Sequence, residues 1–400
     1  MALIPRAFWS IGLAAAVAWP LGVRAACTQD PELGLVCRPA GPVAVGLVGS
    51  TSDTGLRRTI ALAVTEELLE DEASETGGGS GDGPPFDVSV SLLYGNKDYD
   101  GENLTGPTGG LSGNVQGVTG FTSDTWGGVL GVTLRGTQYF AGAAIDYSEE
   151  NADFQDNAGS RDTEELGVQL YGTYYPLADR RLFLTGVARY AGMDIETERT
   201  FPIFDPATEV QTGRLNTARG STDGLNYGLY GGAGYSWPLQ EQTLLTLSGW
   251  LSWQRNEIDG YSETGALPQS RDGESANLRY DDDKYSTLDG ALTATLLHEV
   301  PIPNGRLLPS ASLSYVHELE SDTRTINAEL IDLDPNLVNK IDDKFIRFQT
   351  NEADPDYFRI DASLTAQLNQ GTTLYAAYTG TLDHDWRDES FFSIGLSQTF

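Results

Sequence analysis

From residue 86 to the end, the chain repeats one pattern: an apolar side chain at every second position, with small or polar residues between. The final stretch shows it plainly. Phe392, Ile394, Leu396 and Phe400 share one parity with Gln398, against Ser393, Gly395, Ser397 and Thr399. Period-two alternation predicts strands whose two faces meet different surroundings. The same alternation runs through 86–94, 126–134, 139–147, 166–174, 182–190, 227–237, 245–253, 288–296, 307–315, 358–368 and 374–382. With the last stretch this makes about twelve strands.

Two features choose a membrane barrel over a soluble sandwich. Aromatic residues gather at the ends of the apolar parity: Tyr94, Trp126, Tyr139, Tyr147, Tyr174, Tyr190, Tyr227, Trp237, Trp253 and Phe358. The middles hold Leu, Val, Ala and Gly, as an apolar band between two interfacial girdles requires. The opposite parity carries Arg189, Arg359, Asp361 and Gln367 at mid-strand, which suits a wet lumen. Closure also leaves no unpaired strand edge in lipid. Connections alternate in length: short at 135–138, 176–181, 238–242, 298–305 and 369–371, long at 95–124, 148–163, 191–223, 255–284 and 318–356, with 383–389 brief. The expected fold is therefore all-β: a 12-stranded antiparallel transmembrane β-barrel over 86–400, with long outer loops, short periplasmic turns and both ends in the periplasm.

Residues 1–26 read as a signal peptide: Arg6, an apolar core over 11–21, and a small-residue cleavage site ending at Ala25 or Ala26. Residues 27–85 form a short N-terminal segment. Cys27 and Cys37 fit a short-loop disulfide in an exported chain. Leu56, Ile60, Val64 and Leu68 recur at helical spacing, predicting a helix over 56–73, placed in the lumen on one reading and in the periplasm on the other. The Gly-rich linker 77–85 follows.

Composition narrows the partners. The 400 residues carry a net charge of -32, which excludes nucleic acid, since phosphate contacts need clustered Lys and Arg. Mean hydropathy is -0.28, and beyond the N-terminus no run approaches the roughly 20 apolar residues of a membrane helix. Barrel strands carry too weak a signal per segment to register on that scale.

Several stretches in order resemble an autotransporter translocator domain. They are LSWQRNEIDGYSETGA (251–266), with its Gly-aromatic-x-Glu turn; LLPSASLSYVHELESDTRTINAEL (307–330), with the pair His317-Glu318; LYAAYTGTL (374–382); and the terminal Phe400. The resemblance covers 86–400. It implies a 12-stranded barrel, a helix threading the pore, and insertion by the outer-membrane assembly machinery, which reads the C-terminal strand. Family members export a passenger of several hundred residues, whereas only 27–85 stands before this barrel.

Candidate chemistry is sparse. His384 lies in Asp383-His384-Asp385 on an outer loop, and an oriented His there could activate water; the plainer reading is a polar hairpin tip. His317 lies near the same rim, and His298 falls in a periplasmic turn. Asp332, Asp334, Asn336 and Asp343 follow a calcium-loop spacing, with Leu337 where Gly is needed. The plainer reading is solvated acidic loops that bridge lipopolysaccharide through divalent cations. We assign no catalytic residue, no cofactor and no metal site. The leading function is a non-catalytic, autotransporter-type translocator or surface barrel with little or no passenger. It is set in the outer membrane as a monomer, among lipid and lipopolysaccharide. The alternatives are a small-solute porin or adhesin-like barrel acting through acidic loops, and an outer-membrane hydrolase using His384.

Overall fold

The computed structural model describes residues 27–30, 34–37, 86–100, 115–117, 120–204, 211–240, 242–266, 277–320, 325–331, 345–349, 355–368 and 371–400. Twelve long strands form the body: β1 (Phe86–Tyr99), β2 (Phe121–Arg135), β3 (Tyr139–Phe154), β4 (Gly159–Tyr174), β5 (Leu182–Phe204), β6 (Gln211–Gln240), β7 (Thr243–Ile258), β8 (Asp283–His298), β9 (Gly305–Glu318), β10 (Asp356–Leu368), β11 (Thr372–Leu382) and β12 (Arg387–Thr399). Each pairs antiparallel with its sequence neighbour, and β12 pairs with β1, so the sheet closes on itself. A short strand, Val300–Ile302, sits in the turn between β8 and β9.

The predicted parity holds. Leu170 and Leu292 are 66% and 67% exposed, among a wall of outward Leu, Val, Ile and Ala that only lipid could cover. Inward neighbours such as Gln169 and Arg189 are buried. Both aromatic girdles form. At the outer end Trp126 meets Tyr147 at 5.5 Å, Tyr227 meets Trp253 at 5.9 Å and Tyr315 meets Phe358 at 5.8 Å. At the other end Tyr139 lies opposite Tyr174, and Phe86 stacks on Phe400 at 5.4 Å. Tyr139 to Tyr147 is eight steps, or about 26 Å of strand and about 20 Å of height at a tilt near 40°. That matches a bilayer's apolar band.

The outer loops differ from expectation. Residues 148–163 and 191–223 are mostly strand: β3 and β4 continue to a single 3-10 turn at Gln155–Asn157, and β5 and β6 run on to Phe204 and from Gln211. Above the girdle the outer face meets water, so the lipid-driven alternation fades while the backbone ladder continues. The signal peptide, the helix over 56–73 and the linker 77–85 lie outside the described residues. Cys27–Asp30 pairs with Gly34–Cys37, setting Cys27 opposite Cys37 in the backbone, although their side chains lie outside the description.

Candidate functional site

The barrel offers three chemically distinct surfaces: a charged lumen, an acidic outer rim and the loops over the mouth. In the lumen, Arg189 on β5 is 5% exposed and Glu165 on β4 is 1% exposed. Arg189 Nη2 lies 3.0 Å from Glu165 Oε2, its Nε donates to Asp146 Oδ2 at 3.1 Å, and its Nη1 donates to Asn226 Oδ1 at 2.9 Å. Gln169 donates to Asp146 at 2.8 Å, and Asn226 donates to Asn256 at 2.7 Å. One guanidinium therefore ties inward side chains of β3, β4, β5 and β6, and Asn226 carries the network to β7. Charge-assisted bonds of this kind are strong where water is scarce. Nearer the mouth Arg161 pairs with Glu150 at 3.1 Å, and Ser123 donates to the same carboxylate at 2.8 Å. Across the closing seam, Asp87 on β1 holds Arg135 on β2 and accepts from Thr399 on β12.

Below this network the lumen is aromatic, which the alternation alone did not show. Phe140, Tyr171, Tyr175, Phe183 and Tyr230 form an inward cluster joined by Trp250. Each projects from the parity read as wet. Glycines make room for them: a Cβ on Gly232 would stand 2.0 Å from Trp250 Cε3. An inward aromatic facing a glycine on the next strand is the signal that could have revealed the cluster.

The outward rim above the girdle is acidic. Glu149 lies opposite Glu164, Glu164 opposite Asp194, and Asp194 opposite Asp223, a row across β3 to β6. Like charges directly opposite weaken a sheet. Asp194 and Asp223 stand four residues above Tyr190 and Tyr227 and so clear of the lipid band. The Asp223 carboxyl is held above the usual carboxylate range, first by its hydrogen bond with Asp194 and then by that neighbour's charge. A raised acid binds its proton more tightly folded than unfolded. Its stabilisation is present at low pH and is lost as pH rises through its folded value. Asp194→Asn is therefore expected to flatten the decline in unfolding temperature as pH rises from the ordinary carboxylate range towards neutrality. A slope equal to wild type would show the pair to be uncoupled.

The three histidines do not converge. His317 faces outward, with Nδ1 2.8 Å from Asp356 Oδ1, and Tyr315 donates to the same carboxylate. Its neighbour Glu318 points to the other side of the wall, where its Oε1 is 3.9 Å from His384 Nε2. His384 Nδ1 accepts the Trp386 N–H at 3.2 Å, so both ring nitrogens face protein. Glu318, distant in sequence, is thus brought to His384. His298 meets Thr243 at 3.0 Å at the short-turn end. Among the described residues no three His, Cys, Asp or Glu side chains are grouped to hold a metal. The calcium-like spacing from Asp332 to Asp343 lies outside the described residues.

A twelve-stranded wall, apolar outside, charged and aromatic within, and closed from last strand to first, defines an outer-membrane β-barrel. The chain belongs to the autotransporter family: the model of the Autotransporter beta-domain matches residues 105–379, more than half of it. "Outer membrane protein A" of Rickettsia rickettsii is 25% identical over 216 residues, covering 53% of this chain and 9% of that protein. Its counterpart in Rickettsia conorii (strain ATCC VR-613 / Malish 7) matches at 25% identity, over 53% of this chain and 10% of that protein. This chain thus spans about a tenth of the length of these relatives. In fold it is similar to the translocator domain of autotransporter NalP from Neisseria meningitidis, with a TM-score of 0.54 at 14% identity, over 87% of this chain and 98% of that one.

Proposed function

We propose that the chain is a non-catalytic translocator-type surface barrel, anchored in outer-membrane lipid as a monomer, with residues 27–85 as its own candidate for export. The observation that carries this reading is the Arg189 network. A buried grouping of charged side chains in the lumen is consumed in tying strand to strand, with every guanidinium nitrogen on a wall partner. A catalytic grouping would instead hold an acid, base or nucleophile toward the space a substrate enters. Both ring nitrogens of His384 turn to protein, which weighs against the hydrolase reading.

Recognition by the assembly machinery belongs, on this reading, to the last strand. That recognition is supported by β12, which closes the ring against β1, and by Phe400, whose ring stacks on Phe86 while its N–H donates to Phe86 O at 2.9 Å. The acidic rim fits divalent cations shared with lipopolysaccharide phosphates.

Conductance in planar bilayers tests the proposal, with the intact chain compared with one lacking residues 27–85. Low conductance that rises at least tenfold on truncation is the expected result. Large ohmic conductance in the intact chain would favour the small-solute porin instead.

A further inference from the structure

The outer loops of this barrel meet across its mouth. Tyr261–Ser262, Leu278–Tyr280, Thr325–Leu330, Phe345–Gln349 and Val115–Gly117 form one five-stranded sheet, in that order. Three loops supply it: those after β7, β9 and β1. Its near edge is tied to β6, where Arg219 and Thr264 exchange two N–H···O bonds of 2.8 Å. Its far edge, Val115–Gly117, belongs to the loop between β1 and β2, more than a third of the way round a ring of twelve from β6. Five strands carried on from β6 make five intervals of about 4.8 Å, or about 24 Å. A twelve-stranded barrel tilted near 40° is about 24 Å across between backbones. Counted from the wall it is tied to, the sheet therefore has the reach to bridge the opening.

The sheet also sits in the mouth rather than beside it. Leu278, Tyr280, Ile326 and Ala328 pack with Met193, Ile195 and Ile258 in one buried cluster. Met193 and Ile195 share the parity of Arg189 on β5, and Ile258 shares that of Asn256 on β7; both parities face the lumen. Without the sheet, these apolar residues at the rim would face a water-filled opening.

One buried ion pair joins wall to sheet. Arg199 Nε on β5 donates to Glu263 Oε1 at 2.8 Å, and its Nη2 reaches Oε2 at 2.5 Å. The same carboxylate accepts the Leu278 N–H at 2.8 Å and the Tyr280 hydroxyl at 3.3 Å. Phe201 lies under the guanidinium at 4.5 Å. Glu263 is the Glu of the Gly-aromatic-x-Glu turn, and its aromatic neighbour Tyr261 stacks on Tyr280 at 4.7 Å. A bidentate Arg–carboxylate fork fixes orientation as well as distance.

We propose that the five-stranded sheet is a gate that closes the outer mouth to solutes, and that Arg199–Glu263 is the latch holding it shut. This goes beyond the non-catalytic barrel reading and rests on the loop geometry alone. The test is the open fraction of the full chain in planar bilayers. Wild type is expected to open rarely, and Glu263→Ala at least ten times more often. Arg219 and Thr264 form a hydrogen-bonded cross-strand pair, with Cα atoms about 5.5 Å apart, within disulfide reach. Arg219→Cys with Thr264→Cys, added to Glu263→Ala and oxidised, is expected to return the open fraction to the wild-type level, and reduction to release it. Glu263→Gln, which keeps the side-chain shape, serves if the alanine variant fails the heat-modifiable gel shift of a folded barrel. Unchanged opening in the folded Glu263 variants, or a locked sheet that conducts as freely as the reduced one, overturns the gate. A pore silent in both Glu263 variants that opens only on removal of residues 27–85 also overturns it, while leaving the non-catalytic barrel reading intact.

Discussion

Arg189→Leu is expected to destabilise the barrel by about 3–5 kcal/mol, the usual cost of removing one partner from a buried ionic group. Arg189 stands between Asp146 on β3 and Glu165 on β4, both on the lumen side of adjacent strands. Without the guanidinium, two carboxylates face each other with little solvent to screen them. The loss should therefore lie in the charges left behind rather than in the Arg side chain's own packing. Adding Asp146→Asn and Glu165→Gln to the same variant is expected to recover most of it, since a neutral set of similar volume leaves nothing unpaired. Arg189→Lys should fall between, because an ammonium cannot serve Asp146, Glu165 and Asn226 with one planar fork. Urea unfolding in lipid vesicles, followed by tryptophan fluorescence, reads all of these variants. A cost under about 1 kcal/mol for Arg189→Leu would mean a wet, screened lumen in which this network behaves like surface ion pairs.

How much of this was legible in the sequence depends on whether a strand's two faces meet different media. On β4 the outward set Leu166, Val168, Leu170 and Tyr174 meets lipid and the inward set Glu165, Gln169 and Thr173 meets the lumen, so the pattern is plain from residues alone. Twelve strands, both girdles and the closing role of the last strand follow from it. Above the girdle the sides exchange: Met193 and Ile195 turn in under the mouth sheet while Asp194 and Glu196 face water outside, so the lipid-facing code stops there. That is why 191–223 reads as loop yet folds as hairpin.

The mouth and the lower lumen were hidden for different reasons. Leu278 and Tyr280 lie in a strand of three residues, Ile326 and Ala328 in one of six, and they pair across a long stretch of chain. Segments that short show no periodicity, and only the fold shows that they meet Met193 and Ile195. The inward aromatics Phe140, Phe183 and Trp250 were hidden by the same rule that revealed the outside, because alternation marks which residues meet lipid and leaves open what fills the other face. The acid beside His384 was hidden by distance, since Glu318 ends β9 and reaches it only because β9, β10 and β11 pair side by side.

Leu170→Arg is expected to cost about 2–4 kcal/mol, the price of a cation at the middle of an outer-membrane barrel's lipid face. Leu170 lies four residues from Leu166, whose partner Tyr147 stands in the outer girdle, and four from Tyr174 in the other girdle. It is 66% exposed, and its cross-strand neighbours are Ala143 and Ala188, so no acid is near to receive the guanidinium. Asn151→Arg is the control. It faces outward on β3 above the girdle, beside Asp124 and Asp162, and should leave stability unchanged or slightly raised. The sign of the Leu170 effect discriminates between environments. On a water-exposed sheet, exchanging an exposed leucine for arginine is neutral or improves solubility, because it shrinks an apolar patch. On a lipid-facing wall the same exchange strips a cation of its hydration. Unfolding measured in vesicles, with both variants in parallel, therefore tests the lipid-facing assignment directly: an equal, near-zero cost at residues 170 and 151 would place the wall in water.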